Sequence, residues 1–247
     1  MNAAPDPAPS VPSSVSTRGV IQPSQELPML SQEIRELLDK TTTSAVCDVL
    51  MRRGHKLYMG SRIRPLDPAV RLAGRALTVR RKAVGLLPRT EERPRDRFVE
   101  TIEGAAPGSV IVVVSEAESE AALWGGLLAA AGVRGKLGGV VADGPVRDPR
   151  EILDLKFPVF CTGSVPAGGA GIITHGAVNE PVACGGIIVH PGDFVYGDCN
   201  GVVVIPAGME LEVLQEAVAV EAKDQEAAKR ILAGAGLLET MKALGRA

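Results

Sequence analysis

The chain has 247 residues and a net charge of −2 at neutral pH, and 45% of its residues are hydrophobic. This length allows one large domain or two small ones with an ample buried core. The near-neutral charge argues against nucleic acid or an anionic membrane as a partner. Neither a secretory signal nor an apolar run of about 18 residues occurs, so we expect a cytoplasmic protein that does not enter a membrane.

Residues 1–28 differ in composition from the rest of the chain. They are rich in proline and serine and show no hydrophobic periodicity, which is typical of a disordered tail. Residues 29–247 are predicted to form a single domain.

From residue 30 onwards, hydrophobic periodicity predicts alternating helices and strands. Helices are predicted at residues 31–40 and 44–53, near 124–133, and at 209–242 with a break near 234–236. Strands are predicted at residues 75–80, 109–114, 138–142, 158–162, 186–190, 193–196 and 202–205. This order predicts an α/β domain, and the two strands around Pro191 argue against a purely parallel sheet. The charged segment 85–97 is interpreted as a solvated loop, with a mobile lid as the alternative.

The most informative segment is the apolar run from Gly139 to Ala142, which ends in a polar turn containing Arg147 and Asp148. It places a permanent cation beside an oxygen ligand for a hard metal ion, at the end of a predicted strand where α/β proteins bind ligands. A structural alternative explains the same residues. Asp148 would cap a helix that begins at Pro149.

A second segment favours the binding site over the helix cap. Gly125 and Gly126 precede a short apolar helix, and the free N–H groups of Leu127 and Leu128 would attract an anion. Twenty residues separate Gly126 from Arg147, which is enough for one helix, a turn and a buried strand. Both segments can therefore converge on one pocket that suits a small oxo acid bound through a divalent cation.

The pattern formed by Gly126, Arg147, Asp148 and Glu151 resembles that of the RraA-like family, which includes class II 4-hydroxy-4-methyl-2-oxoglutarate aldolases. Further matches follow in the family's order at residues 43–50, 72–79, 181–186, 191–193 and 197–206. The resemblance extends over roughly residues 30–235. It implies a layered, swivelling-type β/β/α catalytic domain with mixed sheets, N-terminal helices and a long C-terminal helix.

The resemblance also implies an activity and a set of site residues. A 4-hydroxy-2-oxo acid would be cleaved to pyruvate and a second carbonyl compound, with oxaloacetate decarboxylation as a related reaction. Asp148 would hold Mg²⁺ or Mn²⁺, and Arg147 would act as a catalytic residue on the keto or enolate oxygen. The implied substrate-binding residues are Arg147 with Gly125, Gly126, Leu127 and Leu128.

The general base is expected to come from a neighbouring subunit, because the resemblance implies a homotrimer or a hexamer with sites at its interfaces. Asp48 is the matching catalytic residue, and Glu221 or Glu226 would be a second acid. Aldolases of the family often carry an acidic residue where this chain has Gly126, which affects the aldol reaction more than the decarboxylation.

Several alternatives remain open at this level. The family also includes regulators that bind an RNA-degrading endonuclease without catalysis, and an aldolase-like enzyme could act on a sugar-acid derivative. Lys136 is a candidate for Schiff-base chemistry, although its charged neighbours indicate a solvated side chain. The four cysteines have no metal-ligand spacing and are interpreted as reduced core thiols.

Overall fold

The computed structural model of the chain describes residues 30–84, 97–116 and 121–245. The predicted tail at residues 1–28 and nearly all of the charged segment 85–97 lie outside the described residues. The described helices are α1 (Gln32–Leu38), α2 (Thr43–Arg52), α3 (Phe98–Glu103), α4 (Gly126–Arg134), α5 (Pro149–Asp154), α6 (Glu210–Leu232) and α7 (Leu237–Ala243). The described strands are β1 (Arg64–Pro65), β2 (Leu72–Ala83), β3 (Ser109–Ser115), β4 (Gly139–Asp143), β5 (Val159–Cys161), β6 (Ile173–Val178), β7 (Val182–Cys184), β8 (Ile187–Val189), β9 (Phe194–Asp198) and β10 (Gly201–Ile205).

The main sheet is mixed, as expected from the sequence. Strands β2, β3, β4 and β5 run parallel to one another, and the pairings of β1 with β5, of β6 and β9 with β2, and of β10 with β9 are antiparallel. The long strand β2 holds both parts together, because its first half pairs with β9 and its second half with β6. Strands β3 and β4 are almost continuous apolar runs, typical of parallel strands covered on both faces.

The sheet is nearly closed. The segment before β1 extends the β10 edge, since the Met59 N–H donates to the Val202 carbonyl at 2.9 Å and the Val204 N–H donates to the Leu57 carbonyl at 2.8 Å. Strand β1 then pairs with β5 at the other end of the sheet. The β7–β8 hairpin is a separate small sheet, and its buried residues pack against the inner face of the main sheet.

Three apolar cores account for the layers. One fills the inside of the curved sheet, a second lies between β3–β5 and α3, α4 and α5, and a third joins α1, α2 and α6 to β9 and β10. The layered β/β/α architecture predicted from the sequence is therefore confirmed, with its N-terminal helices and long C-terminal helix. Among the described residues, no helix combines the length and the apolarity needed to cross a membrane.

Four elements of the described ranges were not predicted, namely α3, β1, β6 and β7, and α5 was expected only in the structural alternative for Asp148. Strand β6 has the sequence ITHGAV, and five of its six residues are only partly buried, so it lacks the apolar alternation that indicates a strand. Its Gly176 lies against the backbone of Arg80, where a side chain would not fit. The predicted break in the C-terminal helix is observed between α6 and α7.

Candidate active site

The candidate site lies where β3, β4 and β5 end. Beyond the strands, the chain continues as extended segments that pair with one another, Trp124 with Val146 and Val146 with Ser164. The Arg147 N–H donates to the Trp124 carbonyl at 3.0 Å. The segment leading into Gly125 therefore lies beside the segment that contains Arg147, and the structure brings the two predicted halves of the site together.

The helix predicted to begin at Pro149 is observed with Asp148 at its N-cap position, but the Asp148 side chain does not cap it. The Asp148 backbone is left-handed, with φ at 55°, and its side chain makes no hydrogen bond to α5. Its Oδ2 instead accepts a hydrogen bond from the Gly126 N–H at 3.2 Å and lies 3.1 Å from Arg147 Nε. Aspartate is one of the residues that most readily adopts this conformation, which costs on the order of 1 kcal/mol.

The Arg147 side chain packs closely against two glycines, Gly125 at the start of α4 and Gly168, and a side chain at either position would crowd it. A Cβ at Gly125 would lie 3.0 Å from Arg147 Cγ, and a Cβ at Gly168 would lie 2.7 Å from Arg147 Nη1. The Arg147 side chain remains 42% exposed, so its guanidinium is accessible to a small ligand.

The N-terminus of α4 offers two further donors. The Gly126 N–H is taken by Asp148, and the first hydrogen bond of the helix runs from the Ala129 N–H to the Gly125 carbonyl at 3.0 Å. The N–H groups of Leu127 and Leu128 have no acceptor among the described residues. A helix N-terminus with free N–H groups attracts anions, and here it lies next to a guanidinium.

These groups open onto a cavity of about 360 Å³. This volume is at the small end of the range for ligand pockets, which favours a small organic molecule over a large cofactor. The lining residues are Arg81, Phe98, Val99, Ala122, Leu123, Trp124, Gly125, Leu127, Leu128, Arg147, Gly168, Gly169 and Ala170. The cavity thus combines apolar walls with cationic and N–H groups, an arrangement suited to a small organic anion.

The carboxylate of Asp148 could act as an oxygen ligand for a hard cation such as Mg²⁺. Its side chain is 35% exposed, and Oδ1 has no hydrogen-bond partner among the described residues. Within residues 30–84, 97–116 and 121–245, no group of three or more histidine, cysteine or acidic residues could hold a metal. A single carboxylate fits Mg²⁺ or Mn²⁺, which keep several water or substrate oxygens, and does not fit a structural zinc site.

The predicted acids on α2 and α6 lie elsewhere in the protomer. Asp48 lines a second cavity, of about 260 Å³, with Tyr58 and Asn200. Glu221 accepts a hydrogen bond from Thr42 Oγ1 at 2.9 Å, and Glu226 pairs with a neighbouring arginine on α6. None of these carboxylates lines the Arg147 cavity of its own chain, so their roles at a subunit interface stay predictions.

Lys136 follows the C-terminal end of α4, whereas the cavity lies at the N-terminal end of that helix. It does not line the cavity, which removes the structural basis for the Schiff-base alternative.

The cysteines are all free, and the expectation of core thiols holds only for two of them. Cys161 and Cys184 are buried, and burial raises the pKa of both thiols. Cys47 is partly buried, whereas Cys199 is exposed because it occupies the turn between β9 and β10.

Arg81 was not predicted as a site residue. It is 3% exposed, its Nε donates to the Thr174 carbonyl at 3.0 Å, and its guanidinium lies 4.1 Å from the centre of the Phe98 ring. The run Arg80-Arg81-Lys82 suggests a solvated strand end. Strand alternation from Val79, two residues earlier and fully buried, is the signal that could have placed Arg81 inside.

A family model described as RraA-like, Aldolase/RraA, matches residues 43–204. An uncharacterized protein of Methanocaldococcus jannaschii is 40% identical over 146 residues, which cover 58% of this chain and 69% of that protein. A protein of Halalkalibacterium halodurans named "Putative 4-hydroxy-4-methyl-2-oxoglutarate aldolase" is 39% identical over 123 residues, which cover 49% of this chain and 57% of that protein. The crystal structure of Streptomyces coelicolor RraAS2, described as an unusual member of the RNase ES inhibitor RraA protein family, superimposes with a TM-score of 0.67. Its sequence is 26% identical, and the match covers 82% of this chain and 98% of that one.

Proposed function

Because the chain belongs to the RraA-like family, we propose that it is a metal-dependent lyase that forms a pyruvate enolate from a small 2-oxo acid. The observation that carries the proposal is the convergence of Arg147 and the free N–H groups of Leu127 and Leu128 on one cavity, with the Asp148 carboxylate in contact with Arg147. A 2-oxo acid has a carboxylate and a keto oxygen on adjacent carbons, which suits donors and a cation placed side by side.

Each of these groups has a distinct task. The N–H groups of Leu127 and Leu128 bind the substrate carboxylate, and the Arg147 guanidinium donates to the keto oxygen. Negative charge grows on that oxygen as the enolate forms, so a fixed cation lowers the barrier more than it strengthens ground-state binding.

Asp148 would hold Mg²⁺ or Mn²⁺ through Oδ1, while Oδ2 keeps its contacts with Gly126 and Arg147. When bound, such an ion supplies Lewis-acid polarisation of the keto group.

The proton that moves in a retro-aldol reaction needs a base. In this proposal the base is Asp48 of a neighbouring subunit, in a homotrimer or in a hexamer built from trimers. A neighbouring subunit is needed because Asp48 lies outside the Arg147 cavity of its own chain.

The substrates proposed are acids of the 4-hydroxy-4-methyl-2-oxoglutarate type and oxaloacetate. Oxaloacetate is included because the absence of an acidic side chain at Gly126 affects the aldol reaction more than the decarboxylation. A Cβ at Gly126 would lie 3.2 Å from Glu151 Cβ and 3.3 Å from Asp148 Cβ, so these neighbours fill the space that such a side chain would need.

The test is pyruvate release from a panel of these acids, coupled to lactate dehydrogenase, with and without Mg²⁺ or Mn²⁺. Asp148→Asn should lower kcat/KM by about 10²–10³, and a chelator should abolish turnover. Asparagine tolerates the left-handed backbone, which alanine does not, so the amide isolates the loss of charge. The matched control is Glu103→Gln, which removes an exposed carboxylate paired with Arg134 and should leave activity unchanged. Full activity in chelator or in Asp148→Asn would refute the metal assignment.

The likeness to RraAS2 supports a second candidate, a non-catalytic regulator that binds an RNA-degrading endonuclease. If the chain is such a regulator, the wild-type protein and the Asp148→Asn variant should inhibit RNA cleavage by the purified nuclease to the same extent. Inhibition of this kind, together with no turnover of any oxo acid, would favour the regulator over the lyase.

A further inference from the structure

Leu127 is an exposed apolar residue of the Arg147 cavity. It lines that cavity from the first turn of α4, yet its side chain is 83% exposed, so it lies at the cavity mouth. Single exposed apolar side chains are common on protein surfaces, and exposure alone therefore indicates no contact. What distinguishes Leu127 is its place, because the cavity beside it receives no carboxylate from α2 of its own chain.

The cavity that contains Asp48, called the Asp48 cavity, has a size and a chemistry suited to an apolar side chain. Its volume is about 260 Å³, below the usual range for small-molecule pockets. Met59, Val202 and Val203 are buried apolar residues of its lining, and α2 contributes Asp48 and Cys47. A leucine side chain would meet apolar atoms there and lie beside a carboxylate.

We infer that Leu127 of one subunit inserts into the Asp48 cavity of a second copy of the chain. Leu127 does not line the Asp48 cavity of its own chain, so the contact joins two copies. It also joins two different surfaces, and repeated contacts of this kind close into a ring when the rotation between neighbours allows it. The inference rests on the proposed function for the reaction, but the assembly can be measured without any turnover.

This contact would complete the Arg147 cavity. Leu127 lines the Arg147 cavity, and Asp48 lines the cavity that receives Leu127. The contact therefore brings the partner subunit's Asp48 to the mouth of the Arg147 cavity, where the guanidinium is accessible. Burial of the leucine favours association, and the opposite charges favour this orientation of the two subunits. Leu127 is thus a positioning residue, since its side chain sets where the carboxylate lies.

Dilution of the assembled protein tests the docking. Leu127→Ala keeps the backbone N–H groups of α4 and removes most of the apolar side chain. Its loss should raise the protein concentration at which the assembly dissociates by about 10–10²-fold, which corresponds to the burial of one leucine. Sedimentation velocity over a dilution series measures this change. The matched control is Leu232→Ala, at a position that is 88% exposed at the end of α6, and it should leave the dissociation unchanged.

Disulfide trapping tests which surfaces meet. Leu127→Cys should form a disulfide between subunits with Cys47, or with an introduced Ser44→Cys, because both positions line the receiving cavity. The exposed Cys199 is changed to serine in every variant. Non-reducing gels should show covalent species of more than two chains, since each subunit carries one Leu127→Cys and one receiving cavity. Leu232→Cys is the matched control and should give no such species.

Pyruvate release provides a readout that a merely structural role of Leu127 would not change. At a concentration where the Leu127→Ala variant has dissociated, its activity per subunit should be lost. The activity should return when the same variant is concentrated enough to assemble. A folding defect would lower the activity at every protein concentration.

A monomeric wild-type chain would overturn the inference. So would an assembly that Leu127→Ala weakens no more than Leu232→Ala does, or the absence of trapping in both cysteine pairs. Trapped assemblies that release no pyruvate from any acid would leave the docking standing and refute the lyase. Pyruvate release by dissociated subunits would overturn the docking and leave the lyase standing.

Discussion

At the scale of single residues, the candidate site depends on the direction in which Asp148 points. Its left-handed backbone turns the carboxylate away from α5 and towards the Gly126 N–H and Arg147 Nε. One side chain thus joins the end of β4 to the start of α4 and orients the guanidinium beside it. The same contact leaves the second carboxylate oxygen available for an ion.

Arg147→Lys tests whether the planar guanidinium is needed. We expect kcat/KM for the preferred oxo acid to fall by about 10²-fold, mainly through kcat, because an ammonium ion cannot make the paired donation. Steady-state kinetics measure this, with Arg134→Lys as the exposed control. An unchanged kcat would show that Arg147 does not stabilise the enolate.

At the scale of elements, α6 packs against both the N-terminal helices and the sheet. Its residues Val213, Leu214 and Ala217 are fully buried in the core shared with α2, β9 and β10. Because α2 carries Asp48, this packing also sets the surface on which the proposed base is presented.

Two leucines on α6 provide a matched test of that packing. Leu214→Ala should lower the free energy of unfolding by about 2–5 kcal/mol, since it empties a fully buried site. Leu211→Ala, at a position that is 39% exposed on the same helix, should cost less than about 1 kcal/mol. Urea denaturation measures both changes. Similar losses in the two variants would contradict the described packing of α6.

At the scale of the whole molecule, the nearly closed sheet keeps the two proposed functional surfaces apart. Arg147 lies with α3, α4 and α5 outside the parallel strands, and Asp48 lies with the helices that cover β9 and β10. One protomer therefore lacks a carboxylate base from α2 in its cavity, and the proposed mechanism requires an assembly.

Mixing two inactive variants tests this requirement. Asp48→Asn and Asp148→Asn subunits, refolded together, should regain activity because sites at mixed interfaces receive one intact residue from each chain. With equal amounts and random assortment, about a quarter of the sites are complete. Light scattering should show a trimer or hexamer for both variants. An active Asp48→Asn variant, or mixtures without any recovery, would contradict a base supplied in trans.

The sequence by itself determined the features that depend on neighbours along the chain. The apolar runs of β3 and β4 indicate buried parallel strands, and the Gly125-Gly126 pair indicates a helix start open to an anion. Arg147 and Asp148 are adjacent in the sequence, so their proximity was known without the fold. Strand β6 escaped prediction because partial burial of nearly all its residues hides the period of a strand.

Only the tertiary structure decided which distant residues meet. The sequence is compatible with an Asp148 side chain that caps α5 and with one that bonds to Gly126. In the structure the backbone of Asp148 is left-handed, and its carboxylate bonds to the Gly126 N–H. The position of Arg81 beside Phe98 and the separation of Asp48 from Arg147 follow from strand order and from which helices cover which face. Contacts of this kind join residues far apart in sequence, and local periodicity carries no information about their partners.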